Sequence, residues 1–167
     1  DAVMLSGETS VGKYPVEVIQ KMASICTQVE NSSLISVPHE PPHIRTNRYI
    51  TKSICYHAAN MANEINATAI CTLTNSGNTA FQISAWRPDA HILVFTNNRR
   101  ILSRLNLLWG VASFYYDKYE STDQTVEDVN KIAHKAGIVA KGDYLINLAA
   151  MPIVDKGMVN TLRVSQV

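Results

Sequence analysis

From Thr68 onward the chain switches repeatedly between two kinds of segment, and this alternation is its strongest constraint on fold. "TAICTLT" (Thr68–Thr74), "HILVFT" (His91–Thr96), "VASFYY" (Val111–Tyr116) and "DYLINLA" (Asp143–Ala149) are short, apolar and rich in β-branched or aromatic residues. Runs of that length and character read as strands buried on both faces. Between them lie helical patterns. "NTAFQISAWR" stops before Pro88. "NRRILSRLNLLWG" turns Ile101, Leu102, Leu105 and Leu108 inward, with Gly110 as its terminator. "STDQTVEDVNKIAHKAG" has Ser121 and Thr122 as cap candidates and Gly137 as its end. Strands separated by helices form a parallel sheet with helices on both faces, because each crossover returns the chain to the same edge. The last segment, "TLRVSQV" (Thr161–Val167), alternates apolar and polar residues as an edge or antiparallel strand does. The expected class is α/β: a three-layer sandwich around a mostly parallel five-stranded sheet.

The first third is different. Asp1–Leu5 reads as a buried strand and Ser6-Gly7-Glu8-Thr9 as a loop at its carboxyl end. Pro15 suits the first turn of a helix, which runs to about Asn31 with Val16, Ile19, Met22, Ala23, Cys26 and Val29 at helical spacing. Pro38, Pro41 and Pro42 then forbid regular structure. A second helix, Asn47 to Asn66, carries a face of Ile50, Ile54, Ala58, Met61 and Ile65. Three parts follow: 1–33, a Pro-rich linker over 34–46, and the α/β domain over 47–167.

Charge excludes some partners. The net charge of +1 gives no electrostatic case for nucleic acid or a membrane surface. No apolar run approaches the length of a membrane span, and there is no secretory signal pattern. The cysteines, Cys26, Cys55 and Cys71, form no CxxC pair. They read as buried free thiols of a reducing compartment rather than zinc ligands. His57 is expected in the core and His134 near a helix C-terminus. Arg99, Arg100 and Arg104 are expected on a solvated helix face, and Trp86 and Trp109 at helix ends. No nucleophilic or metal-binding set can be assembled.

One turn stands out. In an open α/β sheet, ligands bind beyond the carboxyl ends of strands. The first such turn, Thr74-Asn75-Ser76-Gly77-Asn78-Thr79, is rich in hydroxyls and leads into a helix. Its amides and hydroxyls suit a phosphate, although the same residues favour a plain capped turn. It lacks the lysine of a P-loop and the further glycines of a dinucleotide fingerprint. The segment Met151–Thr161 is long for a hairpin and is a candidate lid.

"DAVMLSGETSVGKYPVE", "TLTNSGNTA", "SAWRPDAHILVFTNN", "RLNLLWGV", "KGDYLINLAA" and "NTLRVSQV" together resemble, in order and spacing, the C-terminal part of pyruvate kinases. The resemblance spans essentially the whole chain. It implies that 1–33 is the last strand and helix of a catalytic β/α barrel belonging to a longer protein, and that 47–167 is the regulatory and oligomerising domain. It implies a parent reaction, phosphoenolpyruvate plus ADP to pyruvate plus ATP, using Mg²⁺ and K⁺ in the cytoplasm. Ser6 and Glu8 would lie near the active site of the intact enzyme, while the remaining catalytic and metal-binding residues would come from earlier barrel strands. This chain alone is therefore expected to be inactive and to bind no metal or cofactor. The family's homotetramers imply self-association. The family's C-terminal domain also implies a sugar-phosphate or nucleotide effector, carried over to Thr74, Ser76, Gly77 and Thr79 within the candidate turn Thr74–Thr79. Asn75 and Asn78 replace basic residues of fructose-bisphosphate-activated relatives, and Thr125 falls near a position where some carry arginine. Each charge-assisted contact is worth roughly 1.5–3 kcal/mol, so fructose bisphosphate is expected to bind weakly or not at all unless Lys156 or Arg100 substitutes. The alternatives are an assembly domain whose effector site has decayed, or a free-standing phosphate-binding module.

Overall fold

A computed structural model describes residues 1–32, 40–41, 48–118, 121–152 and 157–167. The chain divides into two compact units, Asp1–Pro38 and His39–Val167. Most of the expected linker, 34–46, lies outside the described residues.

The first unit contains α1 (Gly7–Ser10) and α2 (Pro15–Glu30). Asp1–Leu5 forms no strand, and Met4 is 88% exposed. Apolar β-branched residues make a strand only where a neighbour completes the ladder, and no described strand pairs with this segment. The expected loop at Ser6–Thr9 is instead one helical turn: the Ser6 carbonyl accepts from the Thr9 and Ser10 amides at 3.1 Å and from the Thr9 hydroxyl at 2.9 Å. Gly12 lets the chain leave that turn, since a Cβ there would stand 2.1 Å from the Glu8 carbonyl oxygen. α2 starts with Pro15 as expected, but none of its residues is buried. Ile19 and Val29 of the expected inner face are exposed, and Cys26 is only half-buried.

The second unit is the α/β sandwich. It comprises α3 (Tyr49–Glu64), β1 (Ala69–Leu73), α4 (Asn78–Ser84), β2 (His91–Thr96), α5 (Arg99–Leu105), β3 (Val111–Tyr115), α6 (Thr122–Lys135), β4 (Tyr144–Ala149) and β5 (Thr161–Gln166). The sheet order is β3-β2-β1-β4-β5. The first four strands are parallel, with Cys71 beside Leu93 and Asn147. β5 runs antiparallel to β4, pairing Ile146 with Val164. The alternation of Leu162 and Val164 with polar neighbours, and the position of β5 at an edge, agree.

Period-two alternation divides the strand residues between two cores. Ile70, Ile92, Val94, Ile146 and Leu148 face Cys55, Ala58 and Ala62 of α3, Ala80 and Ile83 of α4, and Leu105 of α5. Ala69, Cys71, Leu93, Phe95 and Leu145 face Val129 and Ala133 of α6. Phe95 stacks on Phe114 with centroids 5.3 Å apart. Each large side chain sealed here contributes roughly 1.5–3 kcal/mol against exposure.

Three local expectations need correction. α3 is rotated: its buried stripe is Thr51, Cys55, Ala58, Ala59 and Ala62. These small residues bring the helix close to the sheet. Ile54, Met61 and Ile65 are left at the margin of the core, while Ile50 and His57 are exposed. His57 rests against the Tyr56 ring, centroids 5.0 Å apart, not in the core. α5 ends at Leu105, ahead of Gly110. Gly110, at φ +70, sits in the turn that opens β3. α6 matches more closely: the Ser121 hydroxyl accepts from the Gln124 amide at 3.2 Å, and Gly137 follows the helix at φ +72. No helix among the described residues is long and apolar enough to cross a membrane.

Candidate functional site

The chain goes from β1 outward to β2 and β3, then returns to the other side of β1 to lay down β4. This reversal puts the helices of the two halves on opposite faces. The strand order switches at β1 and β4, and the carboxyl ends of strands at such a switch point are where open α/β sheets bind ligands. The turn after β1 is 74–79, and the segment after β4 begins at Ala150. Both stretches singled out in the sequence therefore leave neighbouring strands at the same edge.

The turn is built by its own side chains. The Thr74 amide donates to the Phe95 carbonyl at 3.0 Å, extending the β1–β2 ladder. The Gly77 amide donates to Thr74 Oγ1 at 3.0 Å, and the Asn78 amide to Ser76 Oγ at 3.4 Å. Gly77 is at φ +82, and a Cβ on it would stand 2.9 Å from Leu105 Cδ2 of α5. Glycine is thus required both by backbone conformation and by the close approach of α5. Thr79 is buried, Thr74 half-buried, and Asn75 and Ser76 are exposed. The Thr74 and Ser76 oxygens act as acceptors within the turn, which leaves each hydroxyl hydrogen available to an acceptor outside.

Two residues that the sequence reading passed over complete the surroundings. Arg48, just before α3, donates from Nη1 to Asn78 Oδ1 at 3.2 Å. Asn98 caps α5, accepting from the Arg100 amide at 3.1 Å, and donates from Nδ2 to the Asn75 carbonyl at 3.3 Å. An Asn-Arg-Arg run at a helix start is a legible cap signal. The Arg48–Asn78 contact joins residues 30 apart, and no local pattern announces it.

The other sequence candidates lie elsewhere. Arg100 and Arg104 are exposed on α5, and Arg99 stacks over the Tyr115 ring at 3.9 Å. Thr125 is fully buried in α6 and offers nothing to a solvent-borne anion. Lys156 lies outside the described residues. Ser6 and Glu8 are exposed in the first unit. At the start of α6, the Thr122 hydroxyl donates to Met151 Sδ at 3.0 Å, linking this helix to the segment after β4. Burial pushes the Cys55 and Cys71 thiols up to about 12, away from thiolate chemistry. Among the described residues no three His, Cys, Asp or Glu side chains gather to hold a metal. The site can donate hydrogen bonds to an anion, and it presents no nucleophile paired with a base.

Comparison with known proteins agrees with this architecture. Residues 52–165 match the family described as "Pyruvate kinase, alpha/beta domain". A pyruvate kinase of Clostridium acetobutylicum is 33% identical over 171 residues, covering 100% of this chain and 35% of that protein. A pyruvate kinase of Lactococcus lactis is 36% identical over 171 residues, covering 100% of this chain and 33% of that protein. The chain thus spans about a third of the length of these relatives. The crystal structure of a pyruvate kinase from Cryptosporidium parvum superposes with a TM-score of 0.80 at 24% identity, over 98% of this chain and 32% of that one. With its sheet order and its sequence pointing one way, the chain belongs to the pyruvate kinase family, and residues 52–165 are that family's alpha/beta domain.

Proposed function

We propose that this chain is the C-terminal part of a cytoplasmic pyruvate kinase, that it binds a phosphate-bearing effector at 74–79, and that it contributes to subunit assembly. The observation that carries the effector reading is topological: the hydroxyl-rich turn leaves the strand at which the sheet reverses direction. Arg48, held at the turn through Asn78, supplies a positive charge that the turn itself lacks. The ligand is a phosphate monoester such as a pentose phosphate or a nucleoside monophosphate. Fructose bisphosphate is a poor fit, since Asn75 and Asn78 carry no charge and Thr125 is buried.

Under this reading the whole enzyme transfers the phosphoryl group of phosphoenolpyruvate to ADP. That chemistry depends on positioning and on neutralising charge on the moving group. No described set of residues here does either. The Mg²⁺ and K⁺ ligands and the catalytic lysine belong to the rest of the barrel, whose last segment is 1–33, with Ser6 and Glu8 near its site. The isolated chain has no turnover of its own. Assembly, as part of a homotetramer, runs through the α/β domain.

A thermal-shift screen with ribose 5-phosphate, glucose 6-phosphate, AMP, ATP and fructose 1,6-bisphosphate tests the effector reading. A ligand at a hundredfold excess over its dissociation constant adds about 2.7 kcal/mol. A monophosphate hit that Ser76→Ala weakens supports the proposal. Silence from every phosphate favours the second reading, an assembly domain with a decayed site. That second reading has one observation in its favour: the Thr74 and Ser76 oxygens already cap the amides of their own turn.

A further inference from the structure

Beneath α6, outside the 74–79 turn, lies a polar cluster that the effector reading does not use. Asn147 of β4 is 4% exposed, and its Nδ2 donates to Ser165 Oγ of β5 at 2.8 Å. Asn130 of α6 donates from Nδ2 to the same oxygen at 3.2 Å. One hydroxyl thus gathers two amides, one from the helix and one from the sheet. The Oδ1 atoms of both asparagines are buried and accept no hydrogen bond from the protein.

Buried amide carbonyls are costly to leave unpaired, and native interiors pair nearly all of them. The cluster's own inventory defines what is needed. Ser165 Oγ, accepting two N–H groups, still has its own hydrogen to give. The unmet groups are therefore two acceptors and one donor. A water molecule has two donors and an acceptor, and internal waters occupy polar sites of this kind. An alkali cation would meet only neutral oxygens, with no charge to offset its dehydration.

We propose that one internal water is bound between α6 and the β4–β5 pair, donating to Asn130 Oδ1 and Asn147 Oδ1 and accepting the Ser165 hydroxyl. β5 has a single sheet neighbour. Its other described polar attachment to α6 is the Arg163–Asp123 ion pair nearer the helix start. The water is a third polar link between β5 and α6, beside that pair and the direct Asn130–Ser165 bond.

Two measurements on the whole chain decide it. A high-resolution crystal structure is expected to show one water within hydrogen-bond distance of both Oδ1 atoms and of Ser165 Oγ. Oxygen-17 relaxation dispersion is expected to count one long-lived water fewer in Asn147→Leu. A dry cluster, an alkali ion at the position, or an asparagine amide turned so that its oxygen takes the serine hydrogen would each overturn the proposal. If the leucine variant does not fold, the crystal structure of the unaltered chain decides alone.

Discussion

Asn98 Nδ2 donates to the backbone carbonyl of Asn75 at 3.3 Å, tying the turn after β2 to the turn after β1. The same side chain caps α5 through the Arg100 amide. One residue therefore fixes a helix start and steadies the proposed ligand turn. Asn98→Ala is expected to cost about 0.5–2 kcal/mol, the usual range for a lost helix cap. Urea denaturation checks this. Asn98→Asp, which keeps the capping oxygen but not the donated N–H, is expected to recover most of the stability. Equal losses in the two variants would mean that the link to Asn75, not the cap, carries the effect.

Gly77 and Gly137 separate two kinds of glycine requirement. Both have positive φ, +82 and +72, but a Cβ at Gly77 would stand 2.9 Å from Leu105 Cδ2, while nothing lies within 4 Å of one at Gly137. Gly137→Ala is expected to cost about 1–2 kcal/mol from backbone conformation alone. Gly77→Ala adds overpacking against α5, which typically costs a further ~1–3 kcal/mol. Melting both variants side by side tests the ranking, and a Gly137 variant less stable than the Gly77 one would refute it.

The buried thiols set an alkaline limit. Burial raises Cys55 and Cys71 from 9.0 to about 12. Their ionisation therefore favours the unfolded chain once pH exceeds 9. The stabilisation they carry is complete below pH 9 and is lost progressively towards pH 12. At pH 10 each thiol removes about 1 kcal/mol relative to pH 8. The double variant Cys55→Ala/Cys71→Ala is expected to lose this increment of pH dependence while being less stable at neutral pH. In the native protein, a thiol reagent at pH 8 is expected to modify Cys26, which is only half-buried, well before the other two.

At the start of α6 the Ser121 hydroxyl accepts from the Gln124 amide at 3.2 Å. Ser121→Ala is expected to destabilise the domain by about 1 kcal/mol. Ser121→Asp, which keeps an acceptor and adds negative charge at a helix N-terminus, is expected to restore it. Guanidinium melts of the two variants provide the check.

The α/β sandwich was legible because each strand is a compact apolar run and each crossover carries a helical period. His91–Thr96 and the ends of α6 follow directly from such patterns. The antiparallel edge of β5 was legible in the alternation of Leu162 and Val164. What escaped depends on partners distant in sequence. α3 presents Cys55, Ala58 and Ala62 to the sheet rather than its larger neighbours, because close helix–sheet approach favours small side chains. That choice turns Ile50 and His57 outward, and periodicity alone does not reveal it. Asp1–Leu5 has strand composition but no strand beside it among the described residues. At the candidate site, the turn residues were readable from their chemistry and their place after a strand. The Arg48–Asn78 contact and the bridge from Asn98 to Asn75 arise only when α3 and the β2–α5 turn are brought to that edge.

The most direct test of the effector reading is to titrate the ¹⁵N-labelled chain with AMP and with ribose 5-phosphate, following backbone amide shifts. The account predicts saturable shifts concentrated at Asn75–Thr79 and Asn98, reduced in Arg48→Ala and Ser76→Ala. Absence of saturable shifts with either ligand, or shifts confined to residues far from the carboxyl ends of β1 and β4, would contradict it.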